Sequence, residues 1–199
     1  MNDFSSLDLN AFTHDERYKF LMAGVVPRPI ALVTSLGADG VVNAAPFSTF
    51  VVLSIDPPLL GISVATRDSG EHKDTRRNID AGGEFVINSV SAAMAAQVQR
   101  CGDVYPPQVS EVLEAGFRTL PSEKVGPPRI ADSPLQFECR LHRCIELGAR
   151  HSALIIGEVV RAHAAAGLVD GHRIDPLRLD AIGRLAGRSY CRTHDLIAV

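Results

Sequence analysis

The sequence has no Cys-x-x-Cys pair. Its four cysteines, Cys101, Cys139, Cys144 and Cys191, are scattered, which speaks against a disulfide framework and offers no metal-ligand spacing. Seven histidines are dispersed likewise. His142 and Cys144 would share one strand face, but no further ligand stands near them, so no metal site is read. No apolar run approaches the roughly 18 residues needed to cross a bilayer. A basic excess is missing too: the net charge is -3, which argues against a nucleic-acid partner. The opening run MNDFSSLDLNAF carries acid where a secretory signal would be basic and then apolar, so the chain is expected in the cytoplasm. No Ser-His-Asp set, paired-carboxylate signature or P-loop is recognisable. Gly37-Ala-Asp-Gly40 is not G-x-G-x-x-G, and no βαβ unit surrounds it, so a Rossmann cofactor site is not supported. Chemistry is therefore expected to be a cofactor's, with the protein binding, orienting and tuning it.

What is present fits one domain: 199 residues, 46% hydrophobic and 22% charged. The stretch from Pro27 to Phe50 organises the rest. Ile30 to Thr34 is apolar and β-branched, as a half-buried strand requires. Leu36-Gly-Ala-Asp-Gly-Val supplies a hairpin turn. After Val41-Val42, the run Asn43-Ala-Ala-Pro-Phe-Ser48 has small side chains, and Pro46 removes a ladder donor, so it is expected to leave regular pairing. Its backbone edge suits a flat, polar-edged heterocycle; an irregular edge strand is the plainer reading.

The remaining elements follow in order. Thr13-His-Asp-Glu16 is a capping box for a helix stopping at Gly24. Val51 to Ile55 and Leu59 to Ala65 are strands separated by Asp56-Pro-Pro58. A polar loop, Thr66 to Gly70, leads to a short helix opened by His72-Lys-Asp-Thr75 and closed at Gly82-Gly83. Free amides with Lys and Thr at that start suit a phosphate; an ordinary helix capped by Asp74 or Thr75 is the alternative. Glu84 to Val90 is a strand, Ser91 caps a helix, and Ser110 caps a shorter one. Pro121 to Ser133 reads as a surface connection. Leu135 to His142 alternates with a period of two, and Ala153 to Val160 is a more apolar strand interrupted by Gly157 and Glu158. Strands outnumber the short helices, which predicts a β-barrel with peripheral helices.

The ordered set PRPIALVTS, N-A-A-P-F-S, Asp56-Pro57-Pro58, Lys73-Asp-Thr, Ser133-Pro134-Leu-Gln-Phe-Glu138, His151-Ser-Ala-Leu-Ile-Ile-Gly-Glu-Val159 and Gly183-Arg-Leu-Ala-Gly-Arg-Ser-Tyr190 resembles the flavin reductase-like, FMN-binding split-barrel family. That family includes flavoredoxin-type proteins and the small reductase components of two-component monooxygenases. The likeness covers nearly the whole chain as one domain, residues 1–199. It implies an antiparallel Greek-key split barrel, FMN as cofactor, NADH or NADPH as transient reductant, and a homodimer with one flavin per subunit.

By that resemblance Thr34, Ser35, Lys73 and Thr75 hold the FMN phosphate. Asn43 and the Ala45-Pro46-Phe47-Ser48 backbone line the ring edge. Arg28 and Asn78 are further contacts, and Arg188 or Tyr190 covers the ring. His151 is the catalytic candidate beside the nicotinamide, though Ala149-Arg150 stand where the reductases carry Gly-Asp. The resemblance implies either an NAD(P)H-dependent flavin reductase, serving a monooxygenase or other redox partner, or a flavoredoxin-type electron carrier without a nicotinamide site. A split barrel that has lost flavin and acts structurally is a third reading.

Overall fold

The computed structural model describes residues 4–197. Seven strands form one antiparallel sheet: β1 (Ala31–Leu36), β2 (Val42–Phe47), β3 (Phe50–Ser54), β4 (Leu59–Val64), β5 (Glu84–Ser89), β6 (Leu135–Leu147) and β7 (Ser152–Ala164). Their order across the sheet is β2-β1-β5-β6-β7-β4-β3. The edge strands β2 and β3 are consecutive in the chain, with only Ser48 and Thr49 between them. The sheet must therefore curl until its two edges nearly meet, and this makes the barrel split and not closed.

Burial on both faces explains the curl. Ala31, Val33, Ile62, Phe85, Ile87 and Ile155 fill the inside, while Leu32, Ala44, Val90, Met94 and Val98 pack outside beneath the helices. Every second residue of β1 thus serves a different core, as a two-residue period dictates. Gly157 is required by close approach: a Cβ there would lie 2.3 Å from Phe85 Cζ. The β6–β7 ladder shifts register at that point and continues, so Gly157 bends the strand without ending it.

Helix α1 (His14–Gly24) carries the expected capping box, with the Thr13 hydroxyl accepting from Glu16 N and Glu16 accepting from Thr13 N. Helix α2 (Asp74–Gly82) packs on β1 and β2. The segment Ser91–Arg100 begins as a single 3-10 turn and then forms α3 (Ala95–Arg100), and α4 is Glu111–Glu114. No helix among the described residues is long and apolar enough to cross a membrane.

Two expectations are corrected. Asn43 to Phe47 does not leave the sheet; it pairs with β1 in unbroken register from Leu36↔Val42 to Ala31↔Phe47. Pro46 is tolerated because β2 is an edge strand and Pro46 is in phase with Val42 and Ala44, whose peptide groups face away from β1. Strands β6 and β7 also run past their expected ends, to Leu147 and Ala164: Arg143–Leu147 pairs with Ser152–Ile156, and Arg161–Ala164 pairs with Leu135–Glu138.

Candidate functional site

Two adjoining recesses lie along β2, with Pro46 and Gly102 in the wall of both. The smaller, about 130 Å³, is lined by Asn43, Phe47, Arg67, Lys73, Thr75 and Glu111 among others. The larger, about 470 Å³, lies between α1, the end of α3 and the C-terminal turn, with Arg28, Ser48, Gln99, Arg184 and Tyr190 in its wall.

The smaller recess is built on the start of α2. Lys73 is the helix N-cap by backbone geometry, yet no side chain caps this terminus, in contrast to α1. The N–H groups of the first turn, Asp74 to Arg76, have no partner within the helix by position. Among the described residues no carboxylate lies within ion-pair distance of Lys73. Its ammonium pKa is lowered, first by lost hydration and then by the like charge of Arg67, although the side chain as a whole is exposed. Arg67 reaches the same recess and pairs with Asp74 at 2.7 Å, while Asp74 also bonds Arg77. An uncapped helix start with two cations is a donor set for a small dianion.

Behind this recess lies a buried polar network. Asn43 Oδ1 accepts from Thr75 Oγ1 at 2.9 Å and from Ser35 Oγ at 3.2 Å, and Asn78 Nδ2 donates to Ser35 Oγ at 3.2 Å. Asn43 Nδ2 donates to Glu111 Oε1 at 2.8 Å, and Ala44 N donates to Glu111 Oε2 at 3.0 Å. Ser110 Oγ donates to Val42 O at 2.6 Å. The start of α4 thus satisfies two outward peptide groups of β2, the Val42 carbonyl and the Ala44 N–H. Burial raises the Glu111 pKa; the bonds from Ala44 N and Asn43 oppose that. Cys101, in the same wall, is pushed up to about 12 by burial first and Glu111 second, so its thiol stays protonated.

In the larger recess Arg184 Nη1 donates to Tyr190 OH at 2.5 Å, and Tyr190 OH donates to Gln99 Oε1 at 3.0 Å. Arg28 is buried and spent on structure: it donates to the carbonyls of Met22, Val25 (2.9 Å) and Leu185 (3.0 Å) and to Ser48 Oγ (3.3 Å). It joins α1, the C-terminal turn and the end of β2, so its place in the wall is structural before it is anything else.

Of the residues expected from the sequence, Asn43, Ala45, Pro46, Phe47, Lys73 and Thr75 line the smaller recess, and Arg28, Pro46, Ser48 and Tyr190 the larger. The others stand elsewhere. Thr34 is fully buried on the opposite side of β1 and donates to Pro128 O at 2.6 Å, because alternation turns it away from Ser35. Ser35 and Asn78 sit behind Asn43 and line neither recess. Arg188 is exposed on the C-terminal turn, and Arg184 takes the inward position. His151 is on the turn between β6 and β7, at φ 52°, with Nδ1 3.2 Å from Glu146 Oε2 and its carbonyl accepting from Arg76 and Thr66. It lines neither recess. Sequence reading missed Arg67, Glu111, Gln99 and Arg184. Arg67 stood in the polar loop just before the helix, and Arg184 inside the Gly183–Tyr190 motif.

Residues 22–178 match the family described as flavin reductase like domain. A protein of Halalkalibacterium halodurans is 39% identical over 188 residues, spanning 92% of this chain and 90% of its own. Nitrilotriacetate monooxygenase component B from Bacillus cereus superposes with a TM-score of 0.96 at 35% identity, over 100% of both chains. Pseudomonas fluorescens 2-nitrobenzoate 2-nitroreductase NbaA gives 0.88 at 36% identity, over 98% of this chain and 95% of its own. The seven-stranded split sheet, the match over most of the sequence and these likenesses agree, and the chain belongs to the flavin reductase-like family.

Proposed function

We propose that this protein is an FMN-dependent oxidoreductase that uses NADH or NADPH. The observation that carries the reading is the smaller recess, where Arg67, Lys73 and the uncapped start of α2 converge beside the β2 edge. These groups fit a phosphate carrying close to two negative charges. The larger recess, about 470 Å³, falls within the usual range for small-ligand sites and fits a flat ring beside Pro46 and Ser48. Bound FMN would supply the redox chemistry, taking a hydride from the nicotinamide and releasing electrons to an acceptor. The chain's own part is to clamp the phosphate with Lys73 and Arg67, to present the Ala45–Ser48 edge to the ring, and to close the far wall with Arg184 and Tyr190.

The likeness to a monooxygenase component B supports an oxygenase as the electron-receiving partner. A homodimer with one flavin per subunit is part of the proposal. It is supported by the apolar groove of Leu21, Val25, Pro27, Phe50 and Val51, and by the separately exposed Val52 (61%) and Ile55 (82%). A flavoredoxin-type carrier, reduced by another protein, is the second reading. It is favoured by the position of His151, which is in the wall of neither recess.

The test is rapid mixing of flavin-loaded protein with NADH and with NADPH, followed by visible absorption. Fast, saturable bleaching supports the reductase. A loaded protein that bleaches with neither is the carrier, and a protein that takes up no flavin ends both readings.

A further inference from the structure

Glu111 is a carboxylate placed where an edge strand would normally meet a neighbour or water. It is 8% exposed, lies in the wall of the smaller recess, and accepts from two donors of consecutive residues, Asn43 Nδ2 at 2.8 Å and Ala44 N at 3.0 Å. Among the described residues no cation lies within ion-pair distance of it, so these donors and Ser110–Glu111 backbone packing hold it in place. Burying a carboxylate without a counter-charge is costly, and an edge N–H could be satisfied by a neutral group more cheaply.

An ionised carboxylate only accepts hydrogen bonds, and this has a consequence for Asn43. The amide nitrogen must face Glu111, so the amide oxygen must face Thr75 and Ser35, as it does. One carboxylate therefore fixes the side-chain orientation of Asn43 and, through Ala44 N, the backbone that follows it toward Ala45 and Pro46. We propose that Glu111 is a positioning residue of the flavin site, acting through Asn43 and the β2 edge and not by contact with the flavin. The proposal rests on the flavin reading given above.

The experiment is a double-mutant cycle between Glu111→Gln and Asn43→Ala, with FMN and riboflavin affinities measured by fluorescence quenching and folding checked by thermal melting. Gln offers one acceptor and one donor in place of two acceptors, so it cannot hold both Asn43 Nδ2 and Ala44 N. Glu111→Gln should weaken both flavins alike, by about tenfold, the scale of one charge-assisted hydrogen bond. In the Asn43→Ala background the same change should cost less than about twofold, because coupled residues are not additive. The visible spectrum of bound flavin should shift in Glu111→Gln, a readout that general loss of stability does not move. Glu111→Asp, which keeps the charge but is too short to reach both donors, serves the same cycle if Glu111→Gln does not fold. Equal losses with and without Asn43, losses confined to FMN, or no loss for either flavin would overturn the positioning role while leaving the flavin reading intact. A parent protein that binds neither flavin would overturn both.

Discussion

Thr75 Oγ1 donates to Asn43 Oδ1 at 2.9 Å, across 32 residues of sequence, and so pins the first turn of α2 to the sheet edge. Thr75 is 1% exposed, and its hydroxyl proton is committed to this bond. Any contact it makes to a phosphate therefore runs through its backbone N–H. Thr75→Val should cost about 1 kcal/mol of stability, the net worth of a neutral hydrogen bond. It should leave the preference for FMN over riboflavin nearly unchanged. Urea midpoints and paired flavin titrations check the two halves separately.

Lys73 should behave in the opposite way. Lys73→Ala removes a charge-assisted bond of about 1.5–3 kcal/mol and should weaken FMN by roughly 10- to 150-fold. Riboflavin, which has no phosphate, should bind parent and variant almost alike. Arg67→Ala should repeat the pattern more weakly, since Arg67 shares its charge with Asp74. Added salt should erode the FMN preference of the parent more than that of Lys73→Ala. Equal losses for both flavins would remove the phosphate from this recess.

Glu138 gives the protein a pH dependence at a distance from the site. It is fully buried and accepts from Glu123 N at 2.8 Å, Lys124 N at 2.6 Å and His163 Nε2 at 2.6 Å. Burial by itself would raise its pKa; the bonds from Glu123, His163 and Lys124 outweigh that and hold it below the ordinary 4.5. A depressed carboxyl pKa contributes stability that is present above the unfolded value and lost as pH falls through the folded one. Stability should accordingly drop below pH 4.5, and Glu138→Gln should flatten that drop. At neutral pH the same variant should cost about 3–5 kcal/mol, because it breaks a buried charged cluster. Denaturant unfolding at several pH values reads both effects.

His151 sits at φ 52°, where a residue with a Cβ is strained by about 1–2 kcal/mol. His151→Gly should relieve that strain while losing only an exposed pairing with Glu146, and should come out neutral or more stable by up to about 1 kcal/mol. His151→Ala keeps the strain and should be less stable than His151→Gly. Comparing the bleaching rates of both variants with NADH and NADPH decides the catalytic role: an unchanged rate in both removes it.

Much of the fold was legible because β1, β4 and β5 are short apolar runs bounded by turns. The capping box at Thr13 was equally plain. The phase of Pro46 was not legible. Whether a missing N–H falls toward β1 or away from it depends on pairing, and a sequence carries no mark of that phase. The far ends of β6 and β7 look like loop because Arg143, Glu146 and Arg161 are exposed, and only pairing with the buried Ile156, Ala153 and Glu138 makes them strand. Lys73 and Asn43 could be found because their neighbourhoods are local. Arg184, Tyr190 and Gln99 meet across as many as 91 residues, and Glu111 reaches Asn43 across 68, so only the folded sheet brings them together.

The two borders of the sheet are unlike, and this limits how copies of the protein can add to one another. Along β2 the outward Val42 carbonyl and Ala44 N–H are taken by Ser110 and Glu111, and Pro46 has no hydrogen to give. Along β3 the chain offers exposed Val51 and Val52. A strand ribbon that grows without limit needs a receptive border at each end of every unit. Here the β2 border has one donor and one acceptor already occupied and a third position without a hydrogen, which disfavours strand-to-strand joining along it. The same Ser110 and Glu111 contacts that help shape the smaller recess thus also guard this border of the sheet.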